Sequence, residues 1–289
     1  MHESLRVGEY TFEWGKRTYV MGILNITPDS FSGDGLAGHG LEEILSQARD
    51  FVKHGVDVLD VGGESTRPGA EEVSAQQELD RVIPVVEALA AEFDTVISID
   101  TYKARVAREA LRAGARLIND VWGLRADPGM ADLAAEMELP VVLMHNRSDP
   151  VNAQVMEQLG GRYVGIEYQN LLEDVKRELL DSVKIAHRAG IQNQKIILDP
   201  GIGFGKTVSQ NLELLDRLNE IRDLGYPVLL GASRKSFIGY TLDLPQEDRL
   251  EGTAAATAVG ITRGADLVRV HDVKEMVRIA RMTDAIVRR

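Results

Sequence analysis

No cysteine occurs in the 289 residues. Disulfides, thiolate metal sites and a cysteine nucleophile are therefore excluded outright. No stretch reaches the roughly 18 consecutive apolar residues of a membrane span. Met1-His2-Glu3-Ser4 also lacks the basic-then-apolar start of a secretory leader. Positive charge is in short supply: 33 Lys and Arg face 45 Asp and Glu, a net −12. Overall repulsion opposes nucleic acid and anionic membranes as main partners, so an anionic ligand needs a local cationic cluster. A soluble cytoplasmic enzyme is the expectation. No composition break marks a second domain, and the length suits one closed α/β barrel of the usual ~250 residues over 1–289.

Eight short apolar runs punctuate the chain, and each ends in polar residues. The endings are Asn25 to Asp29, Asp60 to Arg67, Asp100-Thr101, Asn119-Asp120, Met144-His145-Asn146, Asp199-Pro200-Gly201, Ser233 to Ser236, and Arg269-Val270-His271-Asp272. A run such as Val96-Ile97-Ser98-Ile99 has no reason to finish in a carboxylate unless the strand end faces something polar. Near-continuous apolar runs are the mark of strands buried on both faces. Strands are expected at 19–25, 56–61, 96–100, 115–119, 140–146, 195–200, 227–232 and 265–270, with helical patterns between them. Leu41, Ile44, Leu45, Ala48, Phe51 and Val52 recur at helical spacing before Gly55. Parallel strands need crossover helices, and eight such units close a (β/α)8 TIM barrel; an open doubly wound sheet is the competing architecture. Residues 5–18 read as a short N-terminal β-hairpin. Long rim loops are expected at 26–40, 62–73 and 146 to about 162, the length at which loops carry function.

Two nucleotide-binding fingerprints are also missing. Only three residues separate Gly201 from Gly205-Lys206-Thr207, one short of a P-loop, and Lys206 stands where a dinucleotide motif needs its third glycine. The segment is better read as backbone passing close to a flat ligand, with Asp199 beneath it. Asp100, Asn119 and Asp199 converge at strand ends and suit a neutral heterocycle with adjacent N–H donors, because each carboxylate can accept two such bonds. Asp120 reads instead as a cap. Arg67, Lys235, Arg269 and His271 are rim cations that fit a phosphate or diphosphate. Arg234 reads as a solvated charge, Ser236 as a hydroxyl for a carboxylate, and Asp272 as the next helix's cap. A Ser–Lys nucleophile at 233–236 yields to an anion site, and a glycosidase-like carboxylate pair would leave the cations idle. The Asn25 carbonyl is either a Mg²⁺ ligand or a buried amide satisfied by backbone.

Together, Asn25-Ile26-Thr27-Pro28-Asp29-Ser30-Phe31-Ser32, Gly62-Gly63-Glu64-Ser65-Thr66-Arg67-Pro68-Gly69, Asp199 to Lys206, Ser233-Arg234-Lys235-Ser236 and Arg269-Val270-His271 resemble the dihydropteroate synthase family of pterin-binding TIM barrels, over residues 19–275. The resemblance implies condensation of 6-hydroxymethyl-7,8-dihydropterin diphosphate with p-aminobenzoate. It implies a pterin held by Asp100, Asn119, Asp199 and Lys235, with Met144 and Phe204 beside it. Asn25, Arg67, Arg269 and His271 would hold the diphosphate with Mg²⁺ as cofactor. Phe31, Thr66, Pro68, Lys235 and Ser236 would shape the p-aminobenzoate site under the first two long loops. Arg67, Lys235, Arg269 and His271 are the expected catalytic groups, and a homodimer is implied. The chain departs from the family at Gly33-Asp34, where an acidic residue is usual directly after Ser32; Asp34 is not placed among the site residues. Two rivals share the pocket: a methyltetrahydrofolate-dependent methyltransferase, which needs no diphosphate clamp, and a non-catalytic pterin-binding homologue. From the sequence, replacing Arg269 with Ala is expected to damage turnover far more than fold.

Overall fold

The computed structural model describes residues 3–26, 37–65, 73–156, 158–164 and 166–288, so the readings on Phe31, Asp34, Thr66, Arg67 and Pro68 lie outside the described residues. A hairpin of β1 (Leu5–Val7) and β2 (Tyr10–Phe12) opens the chain. Then β3 (Tyr19–Asn25), α1 (Ala37–His54), β4 (Val58–Gly62), α2 (Ala75–Glu92), β5 (Val96–Asp100), α3 (Ala104–Ala113), β6 (Leu117–Asp120), α4 (Gly129–Glu136) and β7 (Val141–Met144) alternate strictly. A second hairpin, β8 (Ala153–Met156) with β9 (Gly160–Tyr163), intervenes before α5 (Leu171–Ala189) and β10 (Ile196–Asp199). The chain finishes with α6 (Val208–Asp216), α7 (Asn219–Arg222), β11 (Leu229–Leu230), α8 (Ser236–Leu242), α9 (Leu250–Thr262), β12 (Leu267–Val270) and α10 (Val273–Val287).

Eight parallel strands run in the order β10-β7-β6-β5-β4-β3-β12-β11. A parallel bridge between Leu198 and Val228 joins the two ends, reinforced by the Leu198 N–H donating to Pro227 O at 2.9 Å. The result is the expected (β/α)8 TIM barrel with its N-terminal hairpin. Two local expectations change. Helix α1 starts at Ala37 rather than near Leu41, because Gly38 and Gly40 are poor helix formers and hide the first turn. The 146–162 loop contains β8 and β9, whose side chains, Tyr163 apart, are not buried, so no period-two apolar pattern announced them.

Strand register fixes what fills the barrel. Asp60 pairs with Ser98, and Ser98 with Leu117, so the inward position level with Asp60 on β6 lies two residues higher, at Asn119. The same climb leads from Asn119 through Val142 and Ile197 to Asp199. It leads from Arg269 through Met21 and Val58 back to Asp60. This is the stagger of a shear-eight barrel, and it stacks inward side chains in layers of four from alternate strands. The lower layers are Val58, Leu117, Ile197 and Leu267, then Met21, Ser98, Val142 and Leu229. Above them comes a wholly polar layer, Asp60, Asn119, Asp199 and Arg269, and above that Ile23, Asp100, Met144 and Gly231.

The hairpin closes the bottom. Leu5, Val7, Phe12 and Trp14 pack with Tyr19, Met21, Val58 and Leu117 in one cluster, and the Phe12 ring lies 5.2 Å from Trp14 and 4.9 Å from Tyr19 between centroids. Each such burial stabilises by about 1.5–3 kcal/mol. The polar layer therefore opens only upward, toward the strand C-termini. Outside, helices lay apolar stripes on the sheet, as Val106, Ala107, Ala110 and Leu111 of α3 do. Among the described residues no helix is long and apolar enough to cross a membrane.

Candidate active site

The floor of the barrel mouth is the polar layer plus Asp100. Arg269 donates from Nε to Asp60 Oδ2 and from Nη2 to Asp100 Oδ2, both at 2.6 Å. Asn119 Nδ2 also donates to Asp60 Oδ2, at 3.1 Å. Burial and the Asp60 charge push the Asp100 carboxyl above the usual carboxylate range, with Arg269 opposing. Sequence reasoning had grouped Asp100, Asn119 and Asp199, and the structure brings them together with Arg269. It gave Asp60 no role, although that residue heads one of the polar endings, because Val61 follows it and breaks the ending. Asp120 faces outward and accepts the N–H groups of Trp122 and Leu124 at 2.8 Å each, capping the following turn rather than a helix.

The strand β10 continues into the glycine segment. Asp199 Oδ1 accepts the Gly201 N–H at 2.7 Å, and burial raises its pKa against the pull of Lys235. Two of the glycines meet a need within the chain itself. A Cβ on Gly201 would lie 1.8 Å from His145 O, and one on Gly205 2.3 Å from the Arg147 backbone. The segment is pressed against the end of β7. Beneath it, fully buried Lys206 donates to Gly201 O at 2.8 Å, Phe204 O at 3.0 Å and His145 Nδ1 at 3.0 Å, using all three of its donors. His145, whose Nε2 faces Glu178 at 3.0 Å, is held neutral: burial and the Lys206 charge push its pKa down to about 3. Neither Lys206 nor His145 was expected in the site's support. The failed P-loop match was the signal, since a lysine inside a glycine turn needs an explanation.

Lys235 precedes α8 and reaches over this segment. Its Nζ donates to Ile202 O and sits 4.4 Å from the centre of the Phe204 ring. Burial, with Arg269 nearby, pushes its pKa down to about 8, while Asp199 and Asp100 oppose. Gly231 leaves a slot here: a Cβ would stand 3.8 Å from Asp199 Oδ2 and 3.9 Å from Lys235 Nζ. Met144 is buried in the same layer. The mouth thus offers acceptors from Asp100, Asn119 and Asp199 on the floor and one cation at the side.

The expected diphosphate pair divides in depth. Arg269 lies low and holds two carboxylates, whereas His271, two residues higher, has Nδ1 3.0 Å from Ser233 Oγ, which also accepts the His271 backbone N–H at 3.1 Å. Ser236 is half-buried at the start of α8. Two readings are corrected. Arg234 is no solvated charge, because both arms of its guanidinium meet the Asp272 carboxylate. Asp272 stands at the N-cap position of α10 without a side-chain cap bond, its oxygens being engaged by Arg234. Asn25 is exposed at the end of β3, which removes its reading as a buried amide.

Although Thr66, Arg67 and Pro68 lie outside the described residues, both ends of their loop are anchored. Lys103 Nζ bridges Glu64 at 2.7 Å and Glu78 at 2.6 Å, Glu64 Oε1 accepts the Val73 N–H at 3.0 Å, and Arg81 donates to Gly63 O at 2.7 Å.

The chain is similar to known proteins in sequence and fold. The chain matches the family of pterin binding enzymes over residues 21–271. It is 50% identical over 286 residues to a dihydropteroate synthase of Clostridium beijerinckii, covering 99% of this chain and 100% of that one. It is similar to the dihydropteroate synthase of Clostridium difficile crystallised in the presence of pteroic acid, with TM-score 0.87, 49% identity, and coverage of 96% of this chain and 100% of that one. It is also similar to the Xanthomonas albilineans dihydropteroate synthase with 4-aminobenzoic acid, with TM-score 0.84, 40% identity, and coverage of 96% and 94%.

Proposed function

This chain belongs to the pterin-binding enzyme family, and from that membership we infer that it catalyses the dihydropteroate synthase reaction. It is a transferase of folate biosynthesis, condensing 6-hydroxymethyl-7,8-dihydropterin diphosphate with p-aminobenzoate to give 7,8-dihydropteroate and diphosphate. The observation that carries the reading is the polar layer under Asp100, a floor of acceptors matched to the N–H-rich edge of a pterin.

On this reading Asp100, Asn119 and Asp199 accept from the ring while Lys235 donates to it, with Met144 and Phe204 as apolar neighbours. The aromatic amine attacks the exocyclic methylene as diphosphate departs, so the main demand is stabilising the departing negative charge. His271 at the rim, Arg67 by its place in the sequence and Arg269 from below supply positive charge. Asp100 and Asp199 favour cationic character at the methylene. Thr66, Pro68, Phe31 and Ser236 remain the proposed p-aminobenzoate contacts. No protein nucleophile is required.

Mg²⁺ is the proposed cofactor. Asn25 offers one exposed, hard oxygen donor at the rim, and Mg²⁺ commonly takes one or two protein groups with phosphate oxygens and water completing its shell. Bound there, it would supply further neutralisation of the diphosphate. A homodimer is proposed as well: α9 carries a single charged residue, Glu251, in 13 positions, and Val259, Met282 and Ile286 stand exposed on α9 and α10. Sedimentation equilibrium giving a monomer would refute it. The cytoplasm is the proposed compartment, and a cysteine-free chain needs no oxidising one.

A diphosphate-release assay with each substrate omitted in turn tests the reaction. Release is expected only with both substrates present and in step with dihydropteroate, to be lost on chelation and restored by Mg²⁺. Release that ignores p-aminobenzoate would overturn the condensation.

The profile of kcat/KM for the pterin substrate against pH is expected to be a bell. Asp100 must be ionised to accept from the ring, and its pKa is raised, so activity falls with falling pH already above the ordinary carboxylate value of about 4. Lys235 loses its proton as pH rises through about 8, which sets the alkaline limb. Lys235→Arg should shift the alkaline limb upward, since Arg stays charged. An alkaline limb that does not move in that variant removes Lys235 from the assignment.

A further inference from the structure

The pterin reading gives Asp60 no direct task, yet it joins two groups that the ring would meet. Asp60 is fully buried, and its Oδ2 accepts from both Arg269 Nε and Asn119 Nδ2. An amide has one donor end and one acceptor end. With one Nδ2 hydrogen engaged by Asp60, the amide cannot flip without losing that bond, which fixes Oδ1 as its open acceptor. The guanidinium is fixed in the same way, Nε by Asp60 and Nη2 by Asp100. A purely structural role would not call for a carboxylate here, since a buried charge is costly and an apolar residue packs as well. The layers beneath hold Val58, Leu117, Met21 and Val142 in such places. Moreover, Asp60 Oδ1 and its register neighbour Ser98 Oγ are buried without a hydrogen-bond partner among the described residues. Native proteins keep few such atoms, and those retained usually mark function.

We propose that Asp60 is a positioning residue that sets the donor and acceptor polarity of the pterin floor. By holding Asn119 and Arg269 it makes the floor accept from N–H groups, and so selects a 2-amino-4-oxo ring over one that presents oxygen at the same edge. This inference rests on the pterin reading above.

The test compares binding of a pterin with that of its 2-oxo analogue, by titration calorimetry on the full-length protein, alongside KM for each substrate. Asp60→Leu is expected to shrink the preference for the amino ring by about tenfold or more, as for a site that loses a matched hydrogen bond. KM for p-aminobenzoate should stay within about twofold, because that substrate does not meet the floor. An unchanged ring preference, or both KM values rising together, overturns the proposal. If Asp60→Leu does not fold, Asp60→Asn combined with Asn119→Asp preserves the layer's charge and still turns an acceptor to the ligand. Preference kept within about threefold is then expected, and its loss refutes the idea. Wild-type protein that binds neither ring would instead refute the pterin reading itself.

Discussion

Arg269→Ala is expected to lose at least about 10²-fold in turnover and about 3–5 kcal/mol of stability. The second loss departs from what the sequence suggested, because Arg269 is not merely a rim cation waiting for diphosphate. It is the partner of two carboxylates, Asp60 at 0% exposure and Asp100, each held at 2.6 Å. Truncation leaves both without that cation on the barrel floor. Asp100, already raised by burial with Arg269 opposing, would rise further. A carboxyl whose folded pKa exceeds its unfolded value destabilises the fold as pH climbs above the unfolded value. The unfolded state is common to both proteins, so the stability deficit should grow as pH climbs through the wild-type Asp100 pKa of about 7 and be larger at about pH 8 than at about pH 6. Denaturant unfolding at the two pH values reads this, and diphosphate release reads turnover. Arg269→Lys should recover the charge but not the two-armed bridge. A variant that unfolds like the wild type at both pH values would show that Asp60 and Asp100 do not depend on the guanidinium.

The same residues show what a sequence can reveal and where it stops. Barrel strands were legible because burial on both faces turns them into apolar runs, and their polar ends marked the rim. Thus Asn25, Asp100, Asn119, Asp199 and Arg269 could be picked out one by one. Asp60 headed one such ending yet drew no role, since it lies two residues short of the end of Val58–Gly62, and only the strand stagger shows it level with Asn119, Asp199 and Arg269. Long-range pairings were equally hidden. Nothing local tells that Asp272 holds Arg234 instead of capping α10, or that His145 joins Glu178 to Lys206 under the glycine segment. The hairpin β8–β9 escaped for a different reason, because strands without a buried face have no periodic apolar signature.

Gly201→Ala is expected to be as damaging as losing a catalytic cation, without touching any reacting atom. Its φ is +70°, a region costing a side-chain-bearing residue about 1–2 kcal/mol. The greater problem is space, since the new Cβ would lie 1.8 Å from His145 O. That atom belongs to a backbone anchored by the His145 N–H on Asp199 O at 2.9 Å. Relief requires moving the end of β10 away from β7. That motion takes with it the Gly201 N–H that orients Asp199 at 2.7 Å and the Gly201 carbonyl that accepts from buried Lys206 at 2.8 Å. A buried N–H donor left short of an acceptor adds about 1–3 kcal/mol. The disturbance then reaches Phe204 and Ile202, which support Lys235. Two sister variants separate these causes. Gly203→Ala brings a Cβ within 2.9 Å of Lys235 Cδ only, so it should weaken pterin binding while leaving thermal stability less affected. Gly225→Ala, at φ +91° with nothing within 4 Å, should cost only the backbone strain of about 1–2 kcal/mol and leave activity unchanged. Melting temperature should therefore fall most for Gly201→Ala, and pterin affinity should fall for the first two but not the third. If Gly201→Ala melts and binds like Gly225→Ala, the contact between β7 and the glycine segment does not hold Asp199 in place.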